Sequence, residues 1–307
     1  MSSTMLQLVQ QTTSELNLAI PTYVAGNTNQ DVQQVLALMN RQGYDLVKEY
    51  DWQALELEYR FYTDAQTFTG STVSNASYNI IVTGDATALN SNYTITGTGI
   101  NQDTYVSSVT YNSGTGLSTI VMSQFASGTY TSVTFTFSQT KYPLPNDFET
   151  ITDNTHWDKT KHWQMLGPED AQQWQWLKSG YISTGPRIRW RILGNKFQIW
   201  PPYNTNEYLG FEYRSKGWAR SAAGAVKNSF TVDTDTTIFD DTVLVLGTKL
   251  KYFQIKGFDT TSLQADYFRY LNVAKANDKG SATLSFAPYP SKVLIGYANI
   301  PDSGYGT

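Results

Sequence analysis

Apolar residues in the first fifty positions recur at helical spacing. Residues 32–47 place Val, Leu and Met three and four positions apart, and Asn27 and Asn29, just before them, are typical N-cap residues. This pattern predicts a helix that runs to about residue 50, followed by a short strand at 55–62. The same reasoning predicts further helices at 4–16, from about 168 to 180, at 240–256 and at 260–279, with Gly257 as a C-cap.

The segment between Arg60 and Lys141 follows a different pattern. It contains no lysine, arginine, histidine or glutamate, and Thr, Ser and Gly alternate with apolar residues. Residues 134–137 alternate strictly, as a half-buried strand does. Five short runs predict strands, at 80–82, 93–98, 105–111, 117–122 and 133–137. We expect a small β-barrel or β-sandwich here, inserted into a helical body.

Strand signals return after Lys141. Two prolines fix an extended stretch at 142–148, and the runs 187–193 and 196–200 flank Gly194-Asn195, which predicts a hairpin. A third strand is predicted at 208–214. The last residues contain three prolines and no helical period, so they predict an extended tail with one strand-like run, 292–297.

The expected fold is therefore α+β, with a helical bundle body that carries a small β-sheet. In this prediction, residues 1–62 and 141–280 form the body, 63–140 form the inserted β domain, and 281–307 form the tail.

Composition narrows the function classes. The net charge is −4, which argues against a general nucleic-acid binder, and the absence of cysteine excludes disulfides, thiol catalysis and cysteine-based zinc sites. No apolar run approaches the length of a membrane span, and the start lacks the basic and apolar regions of a signal peptide. We expect a soluble protein made in the cytoplasm. Aromatic residues, at 14%, suit both cores and interfaces.

Signs of catalysis or metal binding are weak. His156 and His162 are six positions apart, whereas a helical metal pair needs four, so both are expected to be polar or packing residues. A group of four aspartates, Asp233, Asp235, Asp240 and Asp241, faintly suggests calcium binding, but the glycine and closing glutamate of an EF-hand loop are absent. We expect Asp240 or Asp241 to cap a helix instead. We predict no enzyme activity, no cofactor and no metal site.

One acidic, tryptophan-rich stretch keeps a sugar-binding alternative open. It combines five carboxylates with four tryptophans: Glu149, Asp153, Asp158, Glu169, Asp170, Trp157, Trp163, Trp174 and Trp176. Tryptophan packing and helix capping explain the same residues more simply.

Three arginines alternate along one predicted strand. Arg187, Arg189 and Arg191 share one face, and the residues between them are apolar or aromatic. An ordinary solvated face, an acidic protein partner and a DNA phosphate backbone all fit this stripe. Because the chain is acidic, the protein partner is the better functional expectation.

Several runs in the body resemble phage head-to-tail adaptor (connector) proteins of short-tailed phages, the tail tubular protein A-like or gatekeeper-type family. These runs are SELNL at 14–18 with PT at 21–22, VLALMNR at 35–41, YDWQAL at 50–55, YPLPNDF at 142–148, NKFQIWPP at 195–202 and FEY at 211–213. The resemblance covers most of 5–62 and 141–280. ITGTGI at 95–100 and VTFTF at 133–137 resemble a β module of phage structural proteins, which the shortest adaptors do not have.

The resemblance implies a structural virion protein at the head–tail interface. About twelve copies would form a ring that joins the portal protein to the tail nozzle protein, with a possible tail fibre contact, and DNA would pass through the channel during ejection without specific binding. Residues 281–307 would reach the portal by strand addition. The expected anchors in that tail are Leu284, Phe286, Tyr289, Val293, Ile295 and Tyr297.

Two other functions remain open at this stage. The β insert and its tyrosines could belong to a receptor-binding or carbohydrate-binding tail component. The acidic, tryptophan-rich stretch could belong to a cell-wall hydrolase that uses Glu149 or Glu169.

Overall fold

The computed structural model describes residues 3–179 and 188–279. It contains five helices, α1 (Met5–Glu15), α2 (Gln30–Glu49), α3 (Ala171–Lys178), α4 (Asp241–Lys256) and α5 (Thr261–Lys279). The strands that surround the core are β1 (Glu56–Tyr62), β2 (Ala65–Val73), β3 (Asn79–Thr83), β4 (Tyr93–Gly97), β5 (Val106–Asn112), β6 (Leu117–Met122), β7 (Tyr130–Gln139), β8 (Lys141–Pro143), β9 (Phe148–Ile151), β10 (Trp157–Asp158), β11 (Trp163–Gln164), β12 (Arg189–Leu193), β13 (Lys196–Trp200), β14 (Tyr208–Ser215), β15 (Ala219–Arg220), β16 (Val226–Lys227) and β17 (Thr236–Thr237).

The prediction of a helical bundle body is wrong. Among the described residues, 32% lie in strands and 28% in helices. The error has a physical cause: β1 pairs with β14 across roughly 150 positions of sequence, and pairing at that distance leaves no trace in local periodicity. The stretch that contains β9, β10 and β11 also lacks a regular apolar pattern. Strands β9 and β10 pair with β14, and β11 pairs with β10.

Helices α1, α2, α4 and α5 form one layer. Thr4 and Gln7 make a capping box that starts α1, and the Asn29 side chain caps α2, as predicted. The apolar faces meet around the buried Trp218, which comes from the loop before β15. Gly43 in α2 allows the Trp218 ring to pack directly on the helix backbone.

A β-sandwich forms the centre of the body. One sheet has the order β1-β14-β10-β11, with β9 also paired to β14, and the other has the order β12-β13-β8. Their inner faces meet through aromatic contacts, with ring centroids 4.6 Å apart for Phe61 and Tyr142 and 4.9 Å apart for Phe197 and Phe211. The two outer faces of this sandwich therefore point in opposite directions.

Strands β2 to β7 form a curled antiparallel half-barrel in the order β4-β7-β2-β3-β6-β5. This differs from the closed barrel or two-sheet sandwich that the pattern predicted. The two edges approach each other where the Ile95 N–H donates to the Thr104 carbonyl at 2.7 Å, beside a single bridge between Thr94 and Tyr105. The inner side chains, including Phe135 and Phe137, are buried, which explains why this segment needs few charges.

The five strand positions predicted in this segment correspond to β3–β7, but β2 was missed. A bulge interrupts the alternation of β2, and Gly70 within it has a φ of 68°. No helix among the described residues is both long enough and apolar enough to span a membrane.

Candidate interaction surfaces

Helix α5 is docked along one face. Leu271 is buried in the helical layer, and the Tyr267 hydroxyl accepts a hydrogen bond from Gln42 Nε2 at 2.9 Å. Near the end of α5 the Asp278 carboxylate accepts a hydrogen bond from the Gln53 backbone N–H at 2.6 Å. These contacts fix the orientation of α5 and so determine which residues it presents to solvent.

The solvent-facing side of α5 carries large apolar side chains among polar ones. Phe268, Tyr270 and Val273 are 46%, 39% and 53% exposed, and Ile255 and Phe258 at the end of α4 are 56% and 57% exposed. A helix that is already docked gains nothing from further large apolar side chains in water. Exposed apolar side chains of this number suit contact with a partner.

The arginine stripe lies partly outside the described residues. Arg187 is outside them, whereas Arg189 and Arg191 lie on the outer face of β12, with Trp190 buried behind them. Arg189 forms an ion pair with the buried Glu169. Arg191 forms no ion pair with any residue in the described ranges. Of the two described arginines in the stripe, Arg189 is therefore held in an internal ion pair, whereas Arg191 has no ion-pair partner within the described residues.

The proposed portal-binding residues cannot be placed. Leu284, Phe286, Tyr289, Val293, Ile295 and Tyr297 all lie outside the described residues.

Three cations on the same side of the sandwich were missed by the sequence reasoning. Lys141 on β8, Lys178 at the end of α3 and Lys196 on β13 converge on the half-barrel edge near Asp103. They are 18 or more positions apart, and no local pattern links them. Strand pairing positions Lys141 and Lys196, and the packing of α3 positions Lys178, so no sequence signal could have identified the group.

A groove of about 550 Å³ opens on the opposite outer face, beside β10 and β14. Trp157, Asn154 and His162 line it together with Glu58 and Glu212. Asn154 and His162 both adopt left-handed backbone conformations, with φ of 62° and 58°. Aromatic, amide and carboxylate groups of this kind suit a polar ligand such as a sugar.

Two of the three carboxylates that line this groove, those of Glu58 and Asp158, are held by hydrogen bonds. Hydrogen bonds from Arg60 and then Lys159 lower the pKa of Glu58 to about 2, so this group stays ionised and cannot donate a proton at neutral pH. Asp158 is buried and accepts hydrogen bonds from the backbone N–H of Thr160 and from the Tyr203 hydroxyl. Burial and this carboxylate raise the pKa of the Tyr203 hydroxyl.

The other carboxylates of the acidic stretch mostly have structural roles. Glu149 pairs with Lys48, Glu169 pairs with Arg189, and Asp170 caps α3 by accepting the Gln173 N–H at 2.7 Å. Asp153 is exposed.

His156 packs in the sandwich core. Its ring centroid lies 3.8 Å from that of Trp190, and burial lowers its pKa to about 4. His162, in contrast, is exposed at the groove. The packing role expected for His156 is confirmed.

The four aspartates near α4 have backbone and ion-pair roles. Asp240 caps α4 by accepting the Thr242 and Val243 N–H groups, which confirms the predicted cap. Asp235 is buried and accepts hydrogen bonds from Lys227. Across residues 3–179 and 188–279, no group of three or more His, Asp or Glu side chains is placed to hold a metal ion.

The half-barrel exposes aromatic residues on its outer side. Tyr78 and Phe125 lie 6.2 Å apart and are about half exposed, and Tyr105 and Tyr111 are also exposed.

No protein-family model matches the chain, and no curated protein matches it significantly.

Proposed function

We propose that the protein is the subunit of a ring, about twelve copies in size, that joins the portal of a short-tailed phage to the tail nozzle. The observation that carries this proposal is the exposure of three large apolar side chains on α5, those of Phe268, Tyr270 and Val273, although the helix is already docked along one face. The resemblance of the body segments to adaptor proteins supplies the identity of the assembly.

A ring requires two different surfaces on each subunit, because each copy contacts one neighbour with one surface and the next neighbour with the other. In this proposal the exposed apolar side chains of α5 pack against the neighbouring copy, which excludes water from them. Residues 281–307 follow α5 directly and would extend from the ring to the portal. Twelve such tails acting together would bind far more tightly than one.

The test combines the full-length protein with purified portal rings and images the product by electron microscopy. We expect a collar on the tail-facing end of the portal. The double variant Phe268→Asp/Val273→Asp should lose the collar, because two carboxylates would have to be desolvated in the contact. A bare portal with the wild-type protein would refute the proposal.

Ser113→Asp provides the control. Ser113 is exposed in the turn between β5 and β6, so this variant adds a charge outside α5. It should form collars as the wild type does. A further variant that lacks residues 281–307 should keep its fold but fail to bind the portal, and retained attachment would contradict the role assigned to the tail.

The exposed aromatic residues of the half-barrel favour a second candidate, receptor or carbohydrate binding. Tyr78 and Phe125 are exposed aromatic rings that meet edge to face at an interplanar angle of 80°, and exposed aromatic rings are groups on which sugars stack. Glycan-array binding by the full-length protein that disappears in Tyr78→Ala/Phe125→Ala would support this function. Absence of any glycan signal would leave the half-barrel without this role.

A further inference from the structure

The outer face of the β12-β13-β8 sheet carries a concentration of positive charge. Arg191 on β12, Gln198 on β13 and Lys141 on β8 lie directly opposite one another, so they share a face. Arg189 and Lys196 lie on the same face, two positions away from Arg191 and Gln198 along their strands. Lys178 extends over it from α3, with its ammonium 5.8 Å from the Trp200 ring.

Most of this charge is not neutralised within the molecule. Glu169 pairs with Arg189, and Asp103 pairs with Lys178 at 2.8 Å. Lys141 and Lys196 donate to neutral acceptors, a carbonyl at 3.1 Å and an asparagine side chain at 2.5 Å. Five cations therefore face two carboxylates, in a chain whose net charge is −4. We call these five residues the basic face.

The close spacing of these groups is visible in Lys141. Burial, followed by repulsion from Lys178, lowers the pKa of the Lys141 ammonium, while Asp103 acts in the opposite direction. Repulsion from Lys178 thus adds to the effect of burial, because the two ammonium groups lie close together.

The opposite outer face of the sandwich carries the complementary charge. Glu56, Glu58, Glu212 and Asp278 line a hollow of about 660 Å³ with no cation in its lining. Glu58 and Glu212 are direct cross-strand neighbours, an arrangement that is unfavourable in an isolated subunit. Three cations lie beside these carboxylates. Arg60 and Lys159 both pair with Glu58, and Arg214, which lies opposite Glu56, pairs with Asp51, so Glu56 and Glu212 have no ion pair to any described residue. We call these four residues the acidic face.

We propose that the basic face of one copy docks on the acidic face of the next. The two faces belong to the two sheets of one sandwich and point in opposite directions, so contacts of this kind are head-to-tail and generate a ring or a filament. The occupant is a second copy of this chain, because the chain itself supplies the complementary surface. This inference rests on the proposed ring and names the surfaces that hold it together.

A DNA phosphate backbone is the competing occupant of the basic face. The geometry favours the protein partner, because the cations are partly buried between α3 and the half-barrel: the Lys178 and Arg189 side chains are 19% and 40% exposed. A recessed group of this kind suits carboxylate side chains that enter from a facing protein surface. DNA contacts are expected on a more exposed basic surface.

The test uses two charge-reversal variants of the full-length protein. The first, Arg191→Glu/Lys141→Glu, makes both faces acidic, and it leaves Arg189 in place because its partner Glu169 is buried. The second, Glu56→Lys/Glu212→Lys, makes both faces basic. Self-association is measured by sedimentation velocity at about 50 mM and about 500 mM salt, where screening differs strongly. Circular dichroism and thermal melting verify that each variant is folded.

We expect wild-type self-association to weaken at the higher salt concentration, and each variant alone to associate at least ~10-fold more weakly because like charges then meet. An equimolar mixture of the two variants should associate again, since each acidic copy then contacts two basic copies. Native mass spectrometry should find the two variants in equal numbers. Asp153→Lys, an exposed change outside both faces, is the control and should behave as the wild type.

Three results would overturn the inference. Variants that self-associate as strongly as the wild type would exclude these faces as the contact between copies. A mixture of the two variants that does not associate would exclude them too. A wild-type protein that remains monomeric at both salt concentrations and on portal rings would also overturn it. Loss of binding to a short DNA duplex in the first variant, with self-association unchanged, would reassign the basic face to nucleic acid. Portal binding is scored separately, so a failure of the adaptor proposal is distinguishable from a failure of these contacts.

Discussion

Burial of His156 makes the stability of the sandwich depend on pH. The His156 side chain is 1% exposed and lies against Trp190 and Phe211, with ring centroids 3.8 and 5.4 Å away. Its Nε2 atom is buried and has no hydrogen-bond partner among the described residues. The neutral ring suits this apolar site, and burial lowers the pKa from 6.5 to about 4.

The sign and size of the effect follow from proton linkage. Above the unfolded pKa of 6.5, the imidazole is neutral in both states and contributes no pH dependence. As the pH falls below 6.5, the unfolded chain binds a proton that the folded protein excludes, so the free energy of unfolding falls until the folded pKa of about 4 is reached. At 1.36 kcal/mol per pKa unit, protonation at this group lowers the free energy of unfolding by roughly 3 kcal/mol in total, and by about 2 kcal/mol between neutral pH and about pH 5.

Urea denaturation at about pH 8 and about pH 5, followed by tryptophan fluorescence, measures this difference. His156→Phe preserves the stacking and removes the titrating group, so it should show about 2 kcal/mol less pH dependence than the wild type. His162→Gln, which changes the exposed histidine, should retain the wild-type pH dependence. An unchanged pH dependence in His156→Phe would refute the reasoning, and so would its loss in His162→Gln.

Three further substitutions test the packing and capping of the helical layer by urea denaturation. Gly43→Ala should lower the free energy of unfolding by about 1–3 kcal/mol, because its Cβ would lie 2.2 Å from Trp218 Cε2. Alanine favours helices more than glycine does, so a more stable variant would show that this contact does not limit the site. Asp240→Ala should lower the free energy of unfolding by about 1 kcal/mol, because it removes the cap of α4. Asp240→Asn should retain most of this stability, since asparagine can also cap a helix. Equal losses in the two variants would argue against a capping role. Asp235→Ala should lower the free energy of unfolding by about 2–4 kcal/mol, because it leaves Lys227 and two backbone N–H groups without their acceptor. A loss below about 1 kcal/mol would contradict this account.

Local signals in the sequence predicted most of the helices correctly. Short-range capping rules predicted the asparagine cap of α2, the Asp240 cap of α4 and Gly257 at the end of α4. The helices begin and end within a few residues of the expected positions. Helix boundaries depend on neighbours within about four positions, so the sequence carries them directly. The half-barrel strands with regular alternation were found for the same reason, whereas the bulged strand β2 was missed.

By itself the sequence determined where helices and alternating strands form, that cysteine chemistry is excluded, and that residues 61–140 differ in composition from the rest. Tertiary structure decided the architecture of the body, because the pairing of β1 with β14 joins segments that are far apart in the chain. It also decided which charges share a face: Arg191 and Lys141 become neighbours of the same central residue, Gln198, through strand register. A surface patch depends on which backbones pair in space, and that pairing is set by long-range burial of apolar side chains rather than by the residues adjacent in sequence.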